Sequence, residues 1–368
     1  MKTSHLLMPA LALCLEGGSG VVLASTVATD ALILIQSPAR AQSAEEIGKI
    51  AQSITVRIEG ATDGSGVLVK HDGNRYTILT AWHVVSSHKA GEELDIYTPD
   101  DMKHKLDEGS IRRIGEVDMA ELSFTSESIY ASAQLGDVKS ALMGSPIYVA
   151  GFPLPTSAVP ARLLRFLRGD VIANAQIYIP NGYQLLYSTP TLPGMSGGAV
   201  LDTQGRLVGI HGQAEIDTDT TEQEYIVVKT GTNQAVPIGY YYERATTPGT
   251  LSYSSGEKFS DDYIAKAYAI LGENDDKRAV VRLLSLALSM HENSDAYLLR
   301  GNVLYSMGRT EESAADYNRA IALSRNYFQA YVNRGNANRK LGREAAALED
   351  FNRALLMNPV SYEAYYNR

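Results

Sequence analysis

Three short stretches of this 368-residue chain combine residue types that catalysis uses. Leu79-Thr80-Ala81-Trp82-His83-Val84-Val85 is an apolar strand-like run that ends on a histidine. Val117-Asp118-Met119-Ala120-Glu121-Leu122 places an aspartate at the opening of another apolar run. Pro193-Gly194-Met195-Ser196-Gly197-Gly198-Ala199-Val200 sets a serine among glycines, which permit a tight turn with backbone N–H groups pointing inward. Singly, each has an ordinary explanation: a core histidine, a turn-forming aspartate, a serine in a glycine-rich loop. Jointly they are the set that acyl transfer needs and a structural core does not. His71, His88 and His104 lack the Thr-Ala-x-His setting, and Asp100 and Asp101 lie in a polar loop without the Asp-x-Ala-x-Leu context of Asp118.

In the chain order His…Asp…Ser, on a strand-rich background, these stretches resemble the trypsin-like serine peptidases. The resemblance covers roughly Ser53–Tyr242, and the Gly-x-Ser-Gly-Gly and Thr-Ala-x-His stretches are its most specific parts. It implies that Ser196 is the nucleophile. A serine hydroxyl is a poor nucleophile at neutral pH and needs a base within hydrogen-bond reach, the place of His83. Asp118 would hold the imidazole tautomer and stabilise the imidazolium. The backbone N–H groups of Gly194 and Ser196 would form the oxyanion hole, each such donor being worth about 3 kcal/mol of barrier. Met195 stands where the digestive enzymes place an aspartate that receives a newly freed N-terminus, so that activation switch cannot operate. The closer likeness is to the bacterial branch, the high-temperature-requirement peptidases and glutamyl endopeptidases, although no PDZ-like segment follows.

The same resemblance assigns a specificity pocket to Thr189-Pro190-Thr191 and Gly209-Ile210-His211-Gly212. Gly-Ile-His in this place resembles glutamyl endopeptidases, where a histidine and a hydroxyl receive the substrate carboxylate; here those would be His211 and Thr191. The bland alternative is a histidine packed in the pocket wall. The acidic loop Glu215–Glu224 reads as solvated. No cofactor is called for: the histidines show no His-x-x-x-His pairing, no cysteine ligands exist for a metal, and no glycine-rich phosphate loop is present.

The elements that must carry these residues fall into two rhythms. From Ser53 to about Tyr242, short β-branched and aromatic runs (Ile54–Ile58, Gly66–Val69, Tyr76–Thr80, Leu94–Tyr97, Ile147–Val149) alternate with turn clusters such as Asp72-Gly73-Asn74 and Pro180-Asn181-Gly182. Thr203-Gln204-Gly205 between Ala199–Leu201 and Leu207–Ile210 reads as a hairpin. The resemblance makes this an all-β double six-stranded barrel over 42–250. A linker over 251–262 then leads to helix formers with a period of 34: Ala296-Tyr297 recurs as Ala330-Tyr331 and Ala364-Tyr365, and Gly301, Gly308, Tyr317 and Ala320 have partners at Gly335, Gly342, Phe351 and Ala354. That period resembles the tetratricopeptide repeat, an all-α solenoid over 263–368 whose helix pairs bury their apolar faces only by stacking. Its first unit, Tyr263–Met290, is degenerate and its last is incomplete.

Residues 1–41 read as an export signal. Lys2 starts it, two mostly apolar runs follow, and Ala39-Arg40-Ala41 offers a small-x-small cleavage pattern before Gln42. A transmembrane anchor is the rival, against which Asp30 would cost about 3 kcal/mol near the bilayer centre. Cys14, the one cysteine, lies in this segment, so no intrachain disulfide is possible. The formal net charge of −9 gives no electrostatic reason to expect nucleic acid or anionic lipid as a partner. The function expected is therefore an exported, periplasmic or extracellular serine endopeptidase acting on protein or peptide substrates, with repeats that bind a protein partner or the substrate. A catalytically dead barrel serving with the repeats as a peptide-binding scaffold, and a chaperone-like protease, are the competing readings.

Overall fold

The computed structural model describes residues 42–60, 62–89, 91–157, 159–214, 230–243, 256, 259–273 and 276–368. The export signal, the acidic loop and most of the linker read from the sequence lie outside these residues. Helix α1 (Ala44–Ile54) comes first, opened by a capping box in which the Ser43 hydroxyl accepts from the Glu46 N–H and the Glu46 carboxylate accepts from the Ser43 N–H. Its apolar face, Ile47, Ala51 and Ile54, is fully buried against the β-rich core.

The first sheet contains β1 (Thr55–Gly60), β2 (Gly64–Asp72), β3 (Arg75–Thr80), β4 (Leu94–Tyr97), β5 (Lys103–Lys105), β6 (Arg112–Arg113) and β7 (Ala120–Thr125). The four-residue helix α2 (Trp82–Val85) follows β3 directly. The sheet is seven-stranded in the order β5-β4-β1-β2-β3-β7-β6, and a bridge between Leu106 and Phe124 brings its β5 edge round to β7. This half is a curled sheet of seven strands, because the two-residue β6 adds an edge beside β7. Gly73, with φ +58°, supplies the left-handed residue of the tight β2–β3 hairpin.

The second half closes into a six-stranded barrel, as the sequence leads one to expect, from β8 (Pro146–Gly151), β9 (Arg165–Asn174), β10 (Leu185–Ser188), β11 (Ala199–Leu201), β12 (Leu207–Ala214) and β13 (Thr232–Pro237), in the order β10-β13-β12-β11-β8-β9. The hairpin read at Thr203-Gln204-Gly205 joins β11 to β12. A short helix α3 (Gly239–Glu243) ends the β-rich half.

The remaining helices are α4 (Ser260–Glu273), α5 (Lys277–Met290), α6 (Ser294–Ser306), α7 (Thr310–Leu323), α8 (Phe328–Lys340), α9 (Glu344–Met357) and α10 (Tyr362–Asn367). The first helices of the pairs begin at Ser260, Ser294, Phe328 and Tyr362, each 34 residues after the last. The period has a steric cause. A Cβ on Gly301 would lie 2.6 Å from the Tyr317 ring, and one on Gly335 would lie 2.5 Å from the Phe351 ring. Each pair thus seats an aromatic of its second helix against a glycine of its first. The ion pairs Arg300–Asp316 (2.7 Å) and Arg334–Asp350 (2.5 Å) repeat at the same offset.

Ser260–Asp262, assigned to the linker on the sequence, open α4 and dock on the barrel. The Asp261 carboxylate accepts from the Asn174 N–H at 2.8 Å and the Asp262 carboxylate from the Gln176 N–H at 2.6 Å. Ile172, Ala175, Ile177 and Leu186 of the barrel share one buried cluster with Ile264, Tyr268, Val280 and Leu284. The described residues between Gln42 and Arg368 accordingly form one compact body.

Candidate active site

The junction of β3 and α2 sets His83. The first N–H groups of a helix have no partner within it, and Asp118 fills that role from outside: its Oδ1 accepts from the His83 N–H at 2.8 Å. Its Oδ2 lies 2.8 Å from His83 Nδ1. Asp118 is itself held by the Pro180-Asn181-Gly182 turn, where the Asn181 carbonyl accepts its N–H at 2.8 Å. Gly182, at φ +81°, allows that approach, since a Cβ there would lie 2.8 Å from Val117.

A third donor reaches the carboxylate. The Tyr183 hydroxyl donates to Asp118 Oδ2 at 2.5 Å, and a Cβ on Gly212 would lie 2.1 Å from the Tyr183 ring, so this contact needs glycine at 212. Burial pushes the Asp118 carboxyl up. The hydrogen bond and charge of His83, the Tyr183 hydroxyl and the His83 N–H together outweigh that and hold it below its ordinary value. Tyr183 is pushed up by burial and by the same carboxylate, so it remains a donor. With an ionised acceptor on Nδ1, the neutral imidazole carries its proton there and leaves Nε2 as the basic nitrogen.

Ser196 sits between β10 and β11 in a loop whose glycines are forced by close approach. A Cβ on Gly197 (φ +86°) would lie 2.1 Å from the Ser65 carbonyl, and one on Gly198 would lie 2.1 Å from the Ala150 carbonyl. Ser196, His83, Asp118, Thr191 and His211 all line one cavity of about 460 Å³, with Trp82, Ser86 and Arg113 on the wall from the first sheet. The Ser196 hydroxyl donates to the Gly212 carbonyl at 2.8 Å, rather than to His83. Gly194 does not itself line the cavity. Its N–H and that of Ser196 have no acceptor among the described residues.

The specificity residues are already engaged. His211 is buried, its Nδ1 2.6 Å from the Tyr187 hydroxyl, and burial, then the neighbouring His83, lower it to about 4. It is a neutral ring at neutral pH. Tyr187 is fully buried and pushed well up, so it keeps its proton, and Nδ1 is its one acceptor among the described residues. The ring can therefore offer the cavity an Nε2–H. The Thr191 hydroxyl donates to Asn233 Oδ1, and Asn233 Nδ2 donates to the Thr189 carbonyl at 2.6 Å. Tyr183, Tyr187 and Asn233 were not singled out on the sequence. All lie on or beside ordinary strands, and only the tertiary fold turns them toward the site.

A serine hydroxyl, an imidazole oriented by a carboxylate, and two N–H groups without acceptors in the serine's own loop are the groups that acyl transfer uses. The profile of the trypsin-like peptidase domain matches residues 64–210, a span that contains His83, Asp118 and Ser196. The β-rich half is a trypsin-like peptidase domain. Behind it, a TPR repeat profile matches residues 301–342 and a tetratricopeptide repeat profile residues 328–361. The chain is similar to a Serine protease Do-like HtrA of Lactococcus lactis subsp. lactis (strain IL1403), with 26% identity over 45% of this chain and 40% of that protein. It is similar to another of the same description from Lactobacillus helveticus, with 25% identity over 50% of this chain and 43% of that protein. A Serine protease HtrA-like of Staphylococcus aureus (strain bovine RF122 / ET3-1) is 28% identical over 40% of this chain and 19% of its own length. The matched stretch thus spans less than half of each relative.

Proposed function

We propose that the chain is a serine endopeptidase that hydrolyses peptide bonds through an acyl-enzyme, with Ser196 as nucleophile, His83 as general base and Asp118 as its orienting carboxylate. The observation that carries this reading is the 2.8 Å contact between His83 Nδ1 and Asp118 Oδ2 in the cavity that Ser196 also lines. In the reaction Ser196 rotates off the Gly212 carbonyl and gives its proton to His83 Nε2 as its oxygen attacks the substrate carbonyl. The N–H groups of Gly194 and Ser196 receive the negative oxygen. His83, now imidazolium beside Asp118, passes the proton to the leaving amine, and water repeats the sequence to free the acid. Catalytic contacts of this kind are commonly loose without substrate and tighten in the complex.

The Ser196–Gly212 hydrogen bond is what favours the second reading, an inactive barrel that serves the repeats as a scaffold. Turnover of a peptide substrate by the purified protein separates the two. Ser196→Ala is expected to lower it about 10⁴-fold or more without loss of fold, and near-wild-type turnover in that variant rules out the assignment.

Cleavage after glutamate is the finer reading. A buried carboxylate needs donors to replace water; the His211 Nε2–H can serve as one, and the Thr191 hydroxyl, which lines the same cavity, would serve as the other by leaving Asn233 Oδ1. The donor is a neutral imidazole, so acidity is not expected to strengthen the preference. A peptide library scored by the residue before the cut tests this, and a preference for Lys, Arg or a large apolar residue ends it. Export with a mature N-terminus near Gln42, and capture of a protein partner or substrate by the repeats, complete the proposal. N-terminal sequencing of the natively produced protein decides the first, an intact Met1 form refuting it. Among the described residues no helix is long and apolar enough to cross a membrane.

A further inference from the structure

Ser65, the second residue of β2, is fully buried, and every polar atom it has is committed around the Ser196 loop. Its N–H donates to the Ser196 carbonyl at 2.8 Å. Its hydroxyl donates to the Gly194 carbonyl at 3.0 Å and accepts from the Phe152 N–H at 2.8 Å. Its own carbonyl accepts from the Thr80 hydroxyl at 2.7 Å. Two neighbouring carbonyls of the loop are tied as well, Pro193 by the Leu154 N–H at 2.8 Å and Met195 by the Gly198 N–H at 3.0 Å.

The consequence follows from peptide geometry. In a trans peptide the C=O and N–H point in opposite directions. Tying the carbonyls of Pro193 and Met195 therefore turns the N–H groups of Gly194 and Ser196 away from those ties. The peptide between them ends in the Gly194 carbonyl, whose acceptor role is filled by the Ser65 hydroxyl. Gly194 has φ +93° and no Cβ, so its own stereochemistry does little to oppose rotation of the flanking peptides.

We propose that Ser65 is a positioning residue for the peptidase reaction: its hydroxyl locks the Gly194–Met195 peptide and so keeps the Gly194 and Ser196 N–H groups aligned to receive the oxyanion. It couples that alignment to the loop at Phe152 and Leu154. The proposal rests on the peptidase reading above.

The test uses the full chain with Ser65→Ala and Ser65→Cys, and compares a peptide substrate, a peptidyl aldehyde and the matching peptidyl alcohol. The aldehyde forms an oxyanion on Ser196, whereas the alcohol only occupies the cleft. For Ser65→Ala, kcat is expected to fall about 100-fold, with KM within about threefold of wild type. Aldehyde affinity should fall with kcat/KM, and alcohol affinity should hold. Cysteine, nearly isosteric and a weaker donor, is expected to fall between the two, and it decides the matter if the alanine variant does not fold. Wild-type kcat in either folded variant overturns the proposal, and so does an equal loss of aldehyde and alcohol affinity. Exchange of the Phe152 amide at the solvent rate in the wild-type protein overturns it too, by removing the hydrogen bond. An inactive wild-type protein is a different failure: it refutes the peptidase reading and takes the positioning role with it.

Discussion

Asp118 keeps a charge in a buried place because three donors face it, and His211 sheds one because burial, then the neighbouring His83, disfavour a cation there. The imidazole of His211 has a phenol on Nδ1 and is lowered to about 4 by burial, then by His83. In the unfolded chain the same ring titrates near its ordinary value, about 6.5. Between these values the unfolded state binds the proton that the folded state refuses. The contribution of this ring to stability is therefore complete above about pH 6.5 and is lost as pH falls toward 4, a change on the order of 3 kcal/mol. His211→Gln, which keeps an acceptor for Tyr187 and cannot charge, should flatten this dependence. Urea midpoints at about pH 7 and about pH 4.5 check it: the wild type should lose more stability between them than the variant, and equal losses contradict the account. At this scale the grouping of His83, Asp118 and Ser196, which line one cavity, was legible because their local settings in the sequence are distinctive. Ser65, Tyr183, Tyr187 and Asn233 were not. A serine or tyrosine on a strand carries no mark of the carbonyl, carboxylate or imidazole that folding will bring to it.

The elements were legible where turns and period were strong. Leu94–Tyr97 and Ala199–Leu201 coincide with β4 and β11, and the 34-residue offset places the starts of α6, α8 and α10. Helix α1 went unread ahead of the apolar run that begins at Ile54, although the Ser43…Glu46 capping box marks its start. The extra edge strand of the first sheet was beyond reach, because a period of two fixes which face a residue takes and says nothing of which strand lies beside it. The end of the linker was misjudged for a related reason. Ser260, Asp261 and Asp262 are polar and read as coil, yet two of them receive backbone N–H groups of the barrel. That docking has a measurable cost when it is weakened. Ile264 on α4 is fully buried in the cluster shared with the barrel, so Ile264→Ala should destabilise the protein by about 3 kcal/mol. Peptidase activity and helix content should then be lost in one transition on heating. Separate transitions, with activity indifferent to the substitution, contradict a shared core.

The molecule as a whole joins the cleft lined by His83, Asp118 and Ser196 to a stack of helix pairs whose first pair covers the barrel. A division of labour at the linker would let the repeats be removed without touching the site. The shared core moves that division outward, to the later repeats. Hydrogen bonds between the Tyr268 hydroxyl and those of Thr230 (3.0 Å) and Thr232 (2.6 Å) even reach the strand that carries Asn233 beside Thr191. Nothing in amino-acid composition foretells such a joint, since it depends on which barrel face the first helix pair meets. The central claim remains that the cleft is a working serine hydrolase site. Labelling the full chain with a fluorophosphonate probe and mapping the adduct by mass spectrometry tests it most directly. The account predicts one adduct, on Ser196, absent from Ser196→Ala and formed at least about 100-fold more slowly in His83→Ala. No adduct on a folded protein, or an adduct on another side chain with Ser196 unmodified, would contradict it.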